Sequence, residues 1–397
     1  MKIFDILIHA GLFKPLIGAQ NRYNNLTRQL QKRGASVVVL EPDDYVDAQD
    51  RTLATVYSYK ELKLFGRNFC SFRDIVPSFV WAVFRIVQTD HIDLIQITHP
   101  SGASVAKIAP TLARKRVPIV YAPHNVESDV VELSLSTDRR YTRLERGIVP
   151  AYFRALERLV CRHVADCVIT VSKQDRNTFV NKFELDPKKV FVVPSGCTLT
   201  ILPSDAERAA IRQELGISGD ALCILFHGFY AYGPNREAFE TINTYIAPKV
   251  AAVNDRALFV LAGTEAPVFE HDNVKSLGFV DDLQRLLAIA DVAVVPITTG
   301  FGTKLKVFDY MNAALPIVAT RKAMEGIEAT DGQEALIVET VGDVFIDALV
   351  SLLEDAGERR RLGANARQLL EAKYTWDAIG AHLVAVYQRI LGGRAAL

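Results

Sequence analysis

Gly300 and Gly302 bracket a short turn after the apolar run Val292–Val295, and Lys304, Lys306 and Asp309 follow in a helix-like stretch. That order of residue types suits an anion with a sugar attached. The first-turn N–H groups of a helix lack intrahelical partners and point at whatever precedes the helix. Gly302 and Thr303 lie where those amides begin. Lys304 and Lys306 add charge-assisted bonds to a phosphate, with Lys306 the leading candidate. Asp309 stands about two turns in, where a carboxylate can accept from vicinal hydroxyls such as those of a ribose. Taken alone, the same residues also describe a turn followed by a solvated, charged helix face. Other chemistries find less support. There is no Gly-x-x-x-x-Gly-Lys-Ser/Thr phosphate loop and no Gly-x-Ser-x-Gly nucleophile turn, and Gly11 to Gly18 lacks the Gly-x-Gly-x-x-Gly of dinucleotide enzymes.

The elements that must carry these residues alternate. Phe4–Ile8 reads as a strand and Asn21–Arg33 as a helix stopped by Gly34, with Val37–Leu40 as the next strand. Strands at Ile92–Ile97, Pro118–Tyr121, Cys167–Val171 and Val190–Val193 follow, separated by helical stretches. A second series opens with Leu222–Phe226 and continues through Ala257–Leu261, Val274–Leu277, Val292–Val295 and Pro316–Ala319. Its helices lie at Asn235–Tyr245, Asp281–Ala290 and Thr303–Ala313, and the last helix starts near Trp376. Two such series predict an α/β protein of two doubly wound, Rossmann-like domains, in which ligands bind beyond the carboxyl ends of the strands. Gly18, His99, His124, Gly228, Gly263 and Gly300 all sit at expected strand ends and point to one shared cleft. The expected division is 1–200 for the first domain, 201–375 for the second, and 376–397 for a terminal helix packing back towards the first.

Charge supports the division. The chain of 397 residues carries 46 basic and 46 acidic side chains, which excludes a whole-chain nucleic-acid binder. Residues 1–200 nevertheless carry a net +8 and residues 201–397 a net −8. Five scattered cysteines without a CxxC pair suit free thiols in a reducing compartment, and no metal cluster is expected. The N-terminus reads as a strand, and the apolar stretch Ile75–Val87 is too short to span a bilayer.

The segment from Gly300 to Thr320, with Phe308-Asp309-Tyr310-Met311 and Leu315-Pro316-Ile317-Val318, resembles the nucleotide-sugar segment of the GT-B glycosyltransferases of glycosyltransferase family 4. Gly18-Ala19-Gln20-Asn21, Pro123-His124-Asn125-Val126-Glu127, Val193-Pro194-Ser195-Gly196, His227-Gly228 with Pro234-Asn235, Gly263, Gly278-Phe279-Val280-Asp281 and Tyr374-Thr375-Trp376 resemble further family motifs in the family's order. The resemblance implies a retaining, metal-independent, hexosyltransferase-like enzyme with no cofactor. Its donor would be a nucleotide-diphospho sugar held mainly by the second domain, and its acceptor a glycan or lipid-linked sugar on the first, in surface polysaccharide synthesis. It implies His124 near the transferred sugar, Gly18 and Ala19 against the diphosphate, Phe279 and Val280 against the base, and a donor site completed by Gly228, Arg236, Gly263, Gly302, Thr303, Lys304, Lys306 and Asp309. His124, Lys306 and Asp309 are the expected catalytic set.

Three positions depart from the family pattern. Phe301 stands where many relatives have the first of two glutamates, and Phe229 and Pro234 stand where many have an Arg and a Lys. These losses motivate an alternative, a catalytically impaired sugar-nucleotide or polysaccharide-binding partner; an epimerase or hydrolase of nucleotide sugars with the same fold is another. A cytoplasmic location is expected, with peripheral contact at the inner membrane face. For that contact, residues Tyr57–Arg85 interleave Lys60, Lys63, Arg67 and Arg73 with Phe65, Phe69, Phe72, Phe79 and Trp81, a pattern better suited to an ordinary helical face packed under the first domain.

Overall fold

A computed structural model describes residues 1–7, 18–45, 53–61, 63–64, 67–68, 70–137 and 142–392. The chain forms two compact units, Met1–Ser195 with Trp376–Leu397 and Gly196–Thr375. The boundary therefore lies at Ser195/Gly196 rather than after residue 200. The reason is local: Cys197 N–H donates to the Tyr374 carbonyl at 2.8 Å and Cys197 bridges Thr375, so the outgoing and returning segments are already paired inside the second unit.

The first unit is built on seven parallel strands. Their spatial order is Thr55–Tyr59, Ser36–Pro42, Lys2–Ile6, Leu94–Ile97, Ile119–Tyr121, Cys167–Thr170 and Val190–Val192. Side chains alternate across the sheet. Phe4 and Ile6 enter a core shared with Phe79, Val83 and Ala106, while Ile3 and Leu7 enter another shared with Leu26, Leu30, Trp376 and Tyr387. The terminal helix Trp376–Gly392 belongs to this second layer. It lies against the helix Gly18–Lys32, where Gly380 lets the backbones close; a Cβ there would come within 2.5 Å of the Gln29 Cβ. Its His382 Nε2 lies 2.9 Å from the Val192 carbonyl.

The second unit carries strands in the order Val268–His271, Val274–Leu277, Ala257–Ala262, Leu222–His227, Val292–Val295, Ile317–Thr320 and Leu336–Val338, all parallel except the first. The near-continuous apolar runs Leu222–Phe226 and Val292–Val295 are what a strand covered by helices on both faces requires. Chain direction across the sheet reverses between these two neighbours. That is the topological switch point, where the loops after adjacent strands diverge and leave room for a ligand. The loops at that point begin with His227-Gly228 and Pro296, the second leading to Gly300 and Gly302.

Helix ends differ in places from the sequence expectation. The first helix begins at Gly18, so Gly18 and Ala19 lie in its first turn rather than in a loop before it. The helix expected over Thr303–Ala313 spans Leu305–Asn312, with Lys304 at its N-cap and extended. Asn235 lies within a helix that begins at Gly233, where Pro234 pre-sets the backbone angle of the first turn.

Candidate functional site

In the second unit the switch point is assembled by backbone contacts between strand ends. Gly228 N–H donates to the Ala262 carbonyl at 3.0 Å, and Gly263 N–H to the Gly278 carbonyl at 2.8 Å. Gly263 is sterically required, and at Gly228 a side chain would have to push aside those of Lys306 and Asn235. A Cβ on Gly263 would collide with the Gly228 carbonyl, and one on Gly228 would lie 2.5 Å from Lys306 Nζ. The ammonium of Lys306 thus rests beside the Gly228 backbone. It lies 4.0 Å from the centre of the Phe226 ring and donates to Asn235 Oδ1 at 2.7 Å. Asn235 Nδ2 in turn donates to the Phe229 carbonyl at 2.8 Å, which fixes the amide and aims its oxygen at the lysine. Burial pushes the Lys306 ammonium down to about 7.

Asp309 is one turn further along the same helix. Its Oδ2 lies 3.6 Å from Nε2 of His227, whose ring packs edge-on against Tyr310 at 5.1 Å between centroids. The Tyr310 hydroxyl accepts from the His227 backbone N–H at 2.9 Å. Burial, with Lys306 nearby, holds the imidazole far down at about 3, so His227 is neutral. Burial pushes the Asp309 carboxyl above the usual carboxylate range, although 32% of its side chain still meets solvent, which screens the shift. Lys306, Asp309 and a neutral imidazole therefore form one compact group.

The remaining expected residues divide. His227, Gly228, Gly263, Thr264, Phe279 and Val280 line one open depression of about 190 Å³, and Phe279 offers 64% of its surface to solvent there. Thr303 Oγ1 is buried without a hydrogen-bond partner among the described residues. Lys304 is buried and its ammonium turns back to the Gly302 carbonyl at 2.9 Å, so the two lysines expected to share a phosphate have different settings. Arg236 is exposed on the first turn of its helix. Phe229 and Phe301 are also exposed, and Lys322 Nζ stands 5.9 Å from the Phe301 ring.

In the first unit His124 follows the strand Ile119–Tyr121 and precedes the helix Glu127–Thr137. Its ring meets Tyr23 edge-on at 4.5 Å between centroids. Tyr23 lies on the helix that begins at Gly18, so these two strand-end segments touch through aromatic rings. Behind His124, the fully buried Glu157 accepts from the backbone N–H groups of Glu127 at 3.0 Å and Ser128 at 2.9 Å, and from the Tyr121 hydroxyl at 2.9 Å. A carboxylate at a helix N-terminus satisfies orphan amides and meets the positive end of the helix dipole. Burial, and after it the charge of Glu157, pushes Glu127 up to about 8. His99 is buried, accepts from Ser101 N–H at 3.1 Å and packs on Phe153. His9, together with Gly11 and the loop up to residue 17, lies outside the described residues, as do Phe65 and Phe69.

Sequence reasoning named Asn235 and Tyr310 only within family motifs, with no role for either, and did not single out Tyr23 or Glu157. Asn235 had a signal, because an Asn directly after a first-turn Pro is placed to use its side chain at the helix start. Glu157 had none; it reads as one more charge on an amphipathic helix.

Comparison with known proteins adds to this geometry. The family described as Glycosyltransferase Family 4 matches residues 17–201, and that described as Glycosyl transferases group 1 matches residues 221–355. The chain is 26% identical to an MMP alpha-(1->4)-mannosyltransferase of Mycolicibacterium hassiacum over 62% of its own length and 59% of that protein's. It is 26% identical to a D-inositol 3-phosphate glycosyltransferase of Kineococcus radiotolerans over 58% of its length and 59% of the relative's. The chain thus spans about three-fifths of these relatives. Among solved structures, sucrose-phosphate synthase from Thermosynechococcus elongatus superposes with a TM-score of 0.72 at 17% identity, covering 99% of both chains. HepE of Anabaena, solved with UDP and glucose, superposes with a TM-score of 0.69 at 16% identity over 98% of this chain and 99% of that one.

Proposed function

We propose that this chain, which has the GT-B glycosyltransferase fold of two Rossmann-like units, transfers a sugar from a nucleotide-diphospho sugar to an acceptor hydroxyl. The observation that carries the reading is Lys306, a desolvated cation fixed by Asn235 beside the Gly228 backbone at the switch point of the second sheet. A part-buried cation at a strand-end crevice is suited to charge that develops on a leaving diphosphate, and because it is already positioned, little reorganisation is needed as the bond breaks. Asp309 is the acceptor for nucleotide hydroxyls, and the exposed Phe279 faces the base. His124, on the first unit, contacts the sugar being transferred.

In this reading the acceptor oxygen attacks the anomeric carbon from the face that the diphosphate leaves, with retention of configuration. The hydroxyl proton passes to a donor phosphate oxygen. Lys306 and backbone amides carry the charge without a metal. The acceptor is a glycan or lipid-linked sugar, and the setting is surface polysaccharide assembly in the cytoplasm. The exposed Phe229 and Phe301, in place of charged family residues, favour a second reading in which the chain binds a sugar nucleotide but turns it over weakly or not at all.

The test is a thermal-unfolding panel with UDP-, GDP-, ADP- and dTDP-sugars, the UDP-sugars first because HepE was solved with UDP. A ligand at a hundredfold its Kd stabilises the fold by about 2.7 kcal/mol, so one nucleotide should stand out. A panel without any shift would overturn the reading. A shift without sugar transfer to a broad acceptor set would leave the binding partner. Transfer lost in chelator and restored by magnesium would replace the metal-free step.

A further inference from the structure

The helices Pro77–Thr89 and Ala103–Leu112 lie side by side on one face of the first sheet, their inner stripes sharing a core through Phe79, Val83, Ile86, Val105 and Ala109. They run in the same direction. Asp74, just before the first helix, accepts from the N–H groups of Gly102 at 2.9 Å and Val105 at 3.2 Å at the start of the second. Lys115, just beyond the second, reaches the carbonyls of Val87 at 2.5 Å and Asp90 at 3.3 Å at the end of the first. Lys115 thus ties the end of the second helix to the end of the first, as Asp74 ties their starts.

The outer face of this pair is unusual for a surface in water. Trp81 is 62% exposed, Leu112 68%, Ile108 49%, and Ile75, immediately before the first helix, 71%. Arg85 stacks on Trp81 at 5.1 Å, one turn along, and Arg114 and Arg116 stand exposed just past the second helix. Neither helix contains an acidic residue, and none occurs from residue 103 to residue 118. The acids at the border are engaged: Asp74 caps the second helix and Asp90 pairs with Lys2.

We infer that this face docks on an anionic lipid surface, with Trp81, Ile75, Ile108 and Leu112 entering the headgroup region and the arginines meeting the lipid charge. Large apolar side chains interleaved with basic ones and free of acids fit an interface that is apolar below and negative above. A second copy of the chain is a poorer occupant, because pairing this face with itself would oppose arginine to arginine. Gly102 follows the strand Leu94–Ile97, so Asp74 and Ile75 lie at the carboxyl-end rim of the sheet, the same end at which His124 stands. No helix among the described residues is long and apolar enough to cross a bilayer. The inference uses no residue of the second unit and stands or falls apart from the nucleotide site.

The chain reports on itself, because it has two tryptophans and Trp376 is buried. The full chain is mixed with vesicles of phosphatidylcholine alone or with phosphatidylglycerol added. The expected result is co-sedimentation and a blue shift of tryptophan emission with the anionic vesicles only, reversed by salt, and quenching by bromine-labelled lipid. Trp81→Ala should abolish the shift and weaken binding roughly tenfold, and Arg85→Ser with Arg114→Ser should weaken it roughly 25-fold. These exposed sites should leave the Tm unchanged; the quenching arm needs no variant. Absence of binding to anionic vesicles, equal binding to neutral ones, or undiminished binding in the variants would overturn the inference. So would self-association without lipid that Trp81→Ala removes, which would assign the face to a second copy.

Discussion

At the scale of single residues, Lys306 is the side chain whose setting most constrains the chemistry. With its ammonium held down to about 7, it is charged below that pH and neutral above it. Affinity for a nucleotide-diphospho sugar, whose phosphates keep their charge throughout, should therefore fall as pH rises through about 7. His227, neutral across this range, contributes nothing to the slope. Asp309 gains its charge as pH rises, so titration calorimetry is best run in an Asp309→Asn background. Lys306→Ala should weaken binding by about 1.5–3 kcal/mol and flatten the profile, while Lys306→Arg should flatten it by staying charged. An affinity independent of pH in that background would show that the ammonium does not meet the phosphates. His124 makes a contrasting case. His124→Ala should leave nucleotide affinity intact and lower kcat roughly tenfold to a thousandfold, as expected of a contact made mainly in the transition state. Lost nucleotide binding in a folded variant would move this histidine to the donor side.

At the scale of elements, the site depends on how closely strand ends approach. Gly228 and Gly263 sit at the ends of neighbouring strands, and the carbonyl of the first occupies the space a side chain on the second would need. Gly263→Ala must therefore displace backbone rather than a flexible side chain. We expect a loss of about 1–3 kcal/mol in stability together with weakened nucleotide binding, since the shift passes through Gly228 to Lys306. Gly219→Ala, with open space around it, is the control and should be silent. Unfolding curves and ligand shifts on the two variants separate the cases; a Gly263→Ala protein that melts and binds like wild type would dissolve the argument. The Gly233–Thr241 helix works in the same way, since its start places Asn235 to hold Lys306.

At the scale of the molecule, the last helix completes the first unit. The fully buried Tyr387 donates through its hydroxyl to Gln96 Oε1, and Gln96 Nε2 donates to Asp5 Oδ2 at 3.1 Å. Asp5 lies mid-strand with its other oxygen unpartnered among the described residues, and burial pushes its carboxyl up to about 7. Tyr387→Phe leaves Gln96 short of a donor and should cost about 1–3 kcal/mol. The pH dependence has a definite sign. A raised folded value means that the neutral acid is favoured, so its stability is present below about pH 4 and is lost as pH rises to about 7. Asp5→Asn, which stays neutral, should gain on wild type over that interval and hold the gain above it. Urea unfolding at several pH values measures the difference, and parallel curves would mean Asp5 is ionised in the fold.

The sequence by itself determined the alternation of strands and helices, the two-unit plan and the order of glycine-punctuated strand ends, because each depends on local periodicity and on residues with restricted or unusual backbone freedom. It also placed Gly228, Gly263, Phe279 and Val280 at one strand-end region, since loops after neighbouring parallel strands must emerge on the same edge of the sheet. Tertiary structure alone decided the rest. Lys304 and Lys306 are the same residue type two positions apart, yet one folds back on Gly302 and the other is gripped by Asn235 from another helix. Asp309 faces His227 only because Leu222–His227 and Val292–Val295 are neighbours in the sheet. Glu157 becomes a helix cap through a contact with residues 30 positions away. A one-dimensional pattern specifies which face of an element is apolar; which polar group is desolvated, and against what partner, depends on strand order and helix phase, and those exist only once the chain has packed.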